Sequence, residues 1–62
     1  MKGFIELTST LGYPELLNVN SIEAVYVARG GTKIKFNDAD KLEATVKETY
    51  EEIKKKISEA ME

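Results

Sequence analysis

The side chains on which most enzyme chemistry depends are missing, since the chain has neither Cys nor His. That removes the thiolate nucleophile, the disulfide, the zinc ribbon and the iron–sulfur cluster, together with the imidazole base and any Ser-His-Asp triad. Carboxylates, amines, hydroxyls and three Tyr remain. Asp38-Ala39-Asp40 has the alternation that opens a calcium loop, but Leu42 stands at the third ligand position and no Gly follows, so a polar turn is the better reading. Glu6, Glu23 and Glu43 have no partner spaced to perturb them, so they are read as solvated rather than as an acid/base pair. Gly30-Gly31 could let a phosphate approach the backbone. A phosphate cradle needs a helix to follow, however, and the next residues, Thr32 to Phe36, read as a strand. Lys54-Lys55-Lys56 is diluted by Glu51, Glu52 and Glu59 and reads as a wet helix face.

One cluster keeps a functional reading. Tyr26, Arg29, Lys33 and Lys35 lie outside the apolar pairing of the central hairpin and combine an aromatic ring with three cations. That chemistry can stack a base or hold a nucleotide, nucleic acid or other anionic partner. The competing reading is a lysine-bearing sheet face that keeps a small domain soluble.

These residues must be positioned by a chain of 62 residues, enough for a single domain spanning the whole chain, with a sheet over residues 1–47 and a helix over 48–62. Hydrophobic residues at 42% and charged residues at 32% are the proportions of a folded chain. The net charge of −2 gives no overall attraction to nucleic acid or to an anionic membrane. No stretch approaches the ~20 apolar residues that span a bilayer, so membrane insertion is not expected and a cytoplasmic protein is.

Alternation over residues 1–8 puts Gly3, Ile5 and Leu7 on one face of a strand and leaves Phe4 on the wet one. Residues 9–14 turn, and 15–19 return as a second strand. Asn20-Ser21-Ile22-Glu23 has capping-box spacing, and one helical turn there would bring Ile22 into phase with Val25 and Val27. The hairpin over 24–36 is expected to turn at Gly30-Gly31, pairing Arg29 with Thr32, Val27 with Ile34 and Val25 with Phe36. Leu42, Ala44 and Val46 alternate as a last strand over 42–47. Thr49 and Glu52 then form a second capping box, and Tyr50, Ile53, Ile57, Ala60 and Met61 make an apolar stripe on a helix over 50–60. The fold class is α+β: a small antiparallel β-sheet of about five short strands, free to curl into a partial barrel, followed by one C-terminal amphipathic helix.

A chain this short buries barely enough apolar surface to offset its entropy, which favours a homo-oligomer. Phe4, Leu11, Tyr13 and Leu16 have no assigned burial in this scheme and form a candidate protein interface. The order Ile5-Glu6-Leu7-Thr8, Leu17-Asn18 with Ile22-Glu23, Thr32 with Ile34 and Phe36, and Val46-Lys47-Glu48-Thr49 with Glu51-Glu52-Ile53 resembles the small FlbD/SwrD family of bacterial flagellar motility proteins. The resemblance covers nearly the whole chain. It implies a soluble cytoplasmic accessory protein that supports flagellar function, with no catalytic residues to carry over; independently of it, no cofactor is expected and a protein partner is. The sequence departs from the family pattern in its longer first turn and in Asn37-Asp38-Ala39-Asp40, which stands where the family has a Gly. A non-enzymatic interaction module is therefore expected, and a phage- or mobile-element-type inhibitor that captures an anionic ligand on the basic face is the alternative.

Overall fold

A computed structural model describes residues 2–38 and 42–62. Five strands and one helix follow in the order β1 (Phe4–Thr8), β2 (Pro14–Asn18), a 3₁₀ turn (Val19–Ser21), β3 (Ile22–Ala28), β4 (Gly31–Phe36), β5 (Ala44–Val46) and α1 (Tyr50–Ala60). The α+β class expected from the pattern is the one observed. Among the described residues the strands divide into two antiparallel sheets, β1-β2 and β3-β4-β5, with no closed barrel. A single bridge between Ser9 and Val46, and the Lys47 N–H donating to the Thr8 carbonyl at 2.9 Å, tie the end of β1 to β5.

The first strand starts three residues later than alternation implies. Gly3 has φ +84°, in the left-handed region, and its N–H donates to the Ala60 carbonyl at the end of α1 instead of joining the ladder. Met1 lies outside the described residues. From Phe4 onward the alternation holds, and Ile5 and Leu7 are buried. Their neighbours across the ladder are Leu17 and Glu15.

The turn expected at 20–23 forms one residue earlier. The Asn18 side chain accepts from the Asn20 N–H at 2.9 Å, so Asn18 is the cap and Val19 leaves the second strand. Glu23 is thereby released from the capping role and enters β3. The phase of Ile22 is corrected by this turn together with a bulge between Ile22 and Ala24.

The central hairpin keeps its faces but not its partners. Val25 pairs with Ile34, Tyr26 with Lys33, Val27 with Thr32 and Ala28 with Gly31, so the two turn residues are Arg29 and Gly30. A shift of two residues preserves which side chains face inward, so the apolar pattern cannot discriminate between the two registers. The third strand decides. A Cβ at position 31 would stand 2.9 Å from the Val46 carbonyl oxygen and 3.3 Å from Thr45 Cγ2, and Gly31 has φ +144°. Gly31 therefore belongs inside β4, pressed against β5, and cannot be spent on the turn. Because Arg29 does not have positive φ, the turn is not type I′.

Pairing in β5 begins only at Ala44, with Val46 opposite Thr32 and Ala44 opposite Ile34. Leu42, expected in this strand, lies outside it and is exposed, and Phe36 packs against the core at that end of the sheet. The Asp38-Ala39-Asp40 turn falls largely on residues 39–41, outside the described residues.

The helix forms where the capping box and the change of period place it. Thr49 Oγ1 accepts from the Glu52 N–H at 3.1 Å, and Glu52 Oε1 accepts from the Thr49 N–H at 2.9 Å. This engagement commits the Glu52 carboxylate to the cap. The helix carries a Glu51–Lys54 ion pair at 3.4 Å, with the Lys54 ammonium 5.4 Å from the Tyr50 ring centre. Of the apolar stripe, Ile53 is fully buried with Ile5, Leu7, Ile34 and Val46, so one residue of α1 closes the core of both sheets. Ile57 and Ala60 pack at its margin, while Tyr50 keeps about a third of its surface exposed and Met61 more than half. No described helix is long and apolar enough to cross a membrane.

Candidate functional site

The four residues of the candidate ligand face arise from alternation on β3 and β4. Tyr26, Lys33 and Lys35 project from the outer face of the β3-β4-β5 sheet, with Tyr26 directly opposite Lys33 and Lys35 opposite Ala24, while Arg29 sits at the turn. The structure thus brings three of them together on one surface, but it adds acidic and hydroxyl partners. The Tyr26 hydroxyl donates to Glu43 Oε2 at 2.6 Å, Lys33 Nζ donates to Thr45 Oγ1 at 3.3 Å, and Lys35 Nζ lies 3.8 Å from Glu23 Oε2. The Glu43 carboxylate, first by accepting that hydrogen bond, then with slight desolvation and its own charge, holds the Tyr26 hydroxyl above its ordinary pKa. The face is therefore a mixed, largely compensated surface rather than a basic one. Its acidic members could have been found by carrying the alternation one strand further, since Glu43 and Thr45 share a parity that puts them beside the lysines.

The candidate protein interface lies on the first hairpin. Leu11 is 81% exposed, Tyr13 68% and Leu16 57%. Phe4 is half-buried and lines a shallow groove of about 350 Å³ with Lys2, Lys56, Ala60 and Glu62 along the C-terminal half of α1. Phe4 and Leu16 share the outer face of β1-β2, where their cross-strand partners are Asn18 and Glu6. The loop that carries Leu11 and Tyr13 satisfies its own backbone. The Ser9 N–H donates to the Tyr13 carbonyl at 2.8 Å, the Gly12 N–H to the Ser9 carbonyl at 2.9 Å, and the Tyr13 N–H to Ser9 Oγ at 3.2 Å. Gly12, at φ +93°, supplies the left-handed residue this compact loop requires. Two apolar side chains are thus held outward by a loop with its own hydrogen bonds.

One structurally decisive carboxylate carried no chemical signal in the sequence. Glu48 accepts from the Thr8 N–H through Oε1 at 2.8 Å and from the Thr8 hydroxyl through Oε2 at 2.9 Å. This clamp joins the root of the first hairpin to the residue preceding the helix cap. Removal from water pushes the Glu48 carboxyl up, but the Thr8 amide and hydroxyl, the backbone at Glu48 and the nearby Lys56 charge outweigh it and hold the pKa below the usual glutamate value. Both carboxylate oxygens are occupied, so Glu48 is a fastener between elements. A 40-residue separation puts such a pair beyond any local motif.

Among the described residues no three carboxylates converge in a group that could hold a metal ion. No protein-family model matches this chain, and neither the curated proteins nor the solved structures contain a match to it.

Proposed function

We propose that this chain is a non-catalytic protein-interaction module that engages its partner through the β1–β2 hairpin. The observation that carries this reading is the exposure of Leu11, Tyr13 and Leu16 on a hairpin whose loop is internally hydrogen-bonded. An apolar anchor that is already ordered loses little entropy on binding, and large exposed side chains of this kind supply most of the energy at protein interfaces. The sequence resemblance to the FlbD/SwrD family supports a cytoplasmic accessory role in flagellar motility. Capture of a nucleotide or another anion at Tyr26, Arg29, Lys33 and Lys35 draws less support, because Glu23 and Glu43 lie among those cations.

The two readings separate by affinity capture with three forms of the chain. Partners retained by wild type and by Arg29→Gln/Lys35→Gln, but lost by Tyr13→Ala/Leu16→Ala, assign the interface to the hairpin; each anchor should contribute about 2 kcal/mol to binding. Flagellar components among those partners would support the motility role. Salt-sensitive nucleotide binding that disappears in Arg29→Gln/Lys35→Gln would transfer the function to the outer sheet face.

A further inference from the structure

Strand β3 is the edge of its sheet, since β4 is its only ladder neighbour among the described residues. Arg29 and Gly30 form a two-residue turn, so Ala28 and Gly31 close the ladder as a hydrogen-bonded pair, followed by Tyr26 with Lys33 and Ala24 with Lys35. The backbone N–H and C=O groups of Val25 and Val27 consequently point away from β4, along the open edge. Edge strands are ordinarily protected by a charge, a proline or a bulge. Here the bulge ends at Ala24, and residues 24–28 are Ala-Val-Tyr-Val-Ala with no charge or proline. Val27, on the inner face, is 73% exposed.

The sequence of this edge is a palindrome with complementary ends: Glu23-Ala24-Val25-Tyr26-Val27-Ala28-Arg29. Antiparallel pairing with an identical strand about a two-fold axis at Tyr26 puts Val25 opposite Val27, Ala24 opposite Ala28 and Tyr26 opposite itself. Glu23 of each copy then falls at the level of Arg29 of the other. The two outward-facing residues, Val25 and Val27, are the ones whose backbone groups this register requires. Arg29 is exposed and makes no hydrogen bond or ion pair among the described residues. From this agreement of open backbone, apolar self-complementarity and end charges, we infer that the chain forms a two-fold dimer through β3, joining two three-stranded sheets into one of six strands. This surface is separate from the hairpin proposed to bind a partner.

The test uses the full chain. Sedimentation equilibrium should show a monomer–dimer equilibrium, and amide exchange at Val25 and Val27 should slow as concentration rises while that of Leu16, an outward-facing amide on the β2 edge, does not. Arg29→Glu and Glu23→Arg each put like charges at both ends of the pairing and should weaken the dimer about tenfold or more, and mixing the two variants should restore it, since every end contact is then opposite in sign. Circular dichroism of each variant should match wild type, as both residues are exposed. A chain that stays monomeric to millimolar concentration overturns the proposal. So does a dimer whose Val25 and Val27 amides exchange as fast as in dilute solution, or one indifferent to both charge reversals.

Discussion

The two hairpins each place one strand against the shared core and the other at a sheet edge, yet they expose apolar surface in different forms. In β1–β2 the edge strand is blunted, because Pro14 stands opposite Thr8 at a position whose N–H would point outward, and the exposed groups are the side chains of Leu11, Tyr13 and Leu16. In β3–β4 the outer face is chemically answered by Glu23, Glu43 and Thr45, and what stays open is backbone along the uncharged stretch 24–28 of β3. Side chains displayed on an ordered loop suit recognition of a different protein. An open, self-complementary backbone suits a second copy of the same chain. Chemical class alone does not separate these cases, since each surface combines two aliphatic side chains with a Tyr.

The most severe way to break this contrast is to remove what both hairpins rest on. Ile53 is fully buried among Ile5 and Leu7 of the first hairpin and Ile34 and Val46 of the second sheet. Ile53→Ala should cost about 2–5 kcal/mol, comparable with the whole stability of so small a domain, and chemical denaturation should show both hairpins lost together. If the first hairpin persisted while the second melted, the common core would not be the unit of folding.

A smaller effect is confined to one side. Gly31→Ala combines a φ of +144° with a Cβ at 2.9 Å from the Val46 carbonyl, and should cost about 1–3 kcal/mol. Gly12→Ala has φ +93° and open space but for the end of Lys47, so about 1 kcal/mol is expected from the backbone conformation alone. Equal melting temperatures for the two variants would show that the approach of β4 to β5 does not set the hairpin register.

The smallest effect concerns the joint between the first hairpin and the helix. Because the folded-state pKa of Glu48 lies below its unfolded value, the clamp contributes fully above the ordinary glutamate pKa and is lost as pH falls through that value toward the folded one. With Glu48 only partly buried, about 1 kcal/mol is at stake. Glu48→Gln should lower the stability by that amount at neutral pH and bring the variant and wild type together in acid. A constant gap between the two across the acid range would show that the carboxylate charge has no part in the clamp.

Much of this architecture was legible locally. Period-two alternation identified Ile5 and Leu7 as buried, the Thr49/Glu52 box placed the start of α1, and the stripe through Ile53 gave the buried face of the helix. Each depends on neighbours within about one helical turn or a few strand residues, where side-chain type dictates backbone geometry directly. The positions of Leu11, Tyr13 and Leu16 outside the apolar pairing were likewise readable, as was the shared face of Tyr26, Lys33 and Lys35. The cap at Asn18 was not, because Asn18 and Asn20 offer equivalent side chains and the choice depends on where β2 stops pairing with β1.

What the tertiary structure decided are relations between distant residues. Period-two patterning is blind to a two-residue slip, so the register of the central hairpin was settled by the contact of Gly31 with Val46, which the sequence separates by 15 positions. The Glu48–Thr8 clamp and the answering of Tyr26 by Glu43 come from strands brought together by the same collapse. The palindrome from Glu23 to Arg29 is present in the sequence, but its meaning depends on β3 lying at an edge. Strand order follows from how the whole chain buries its apolar faces, which no single segment contains.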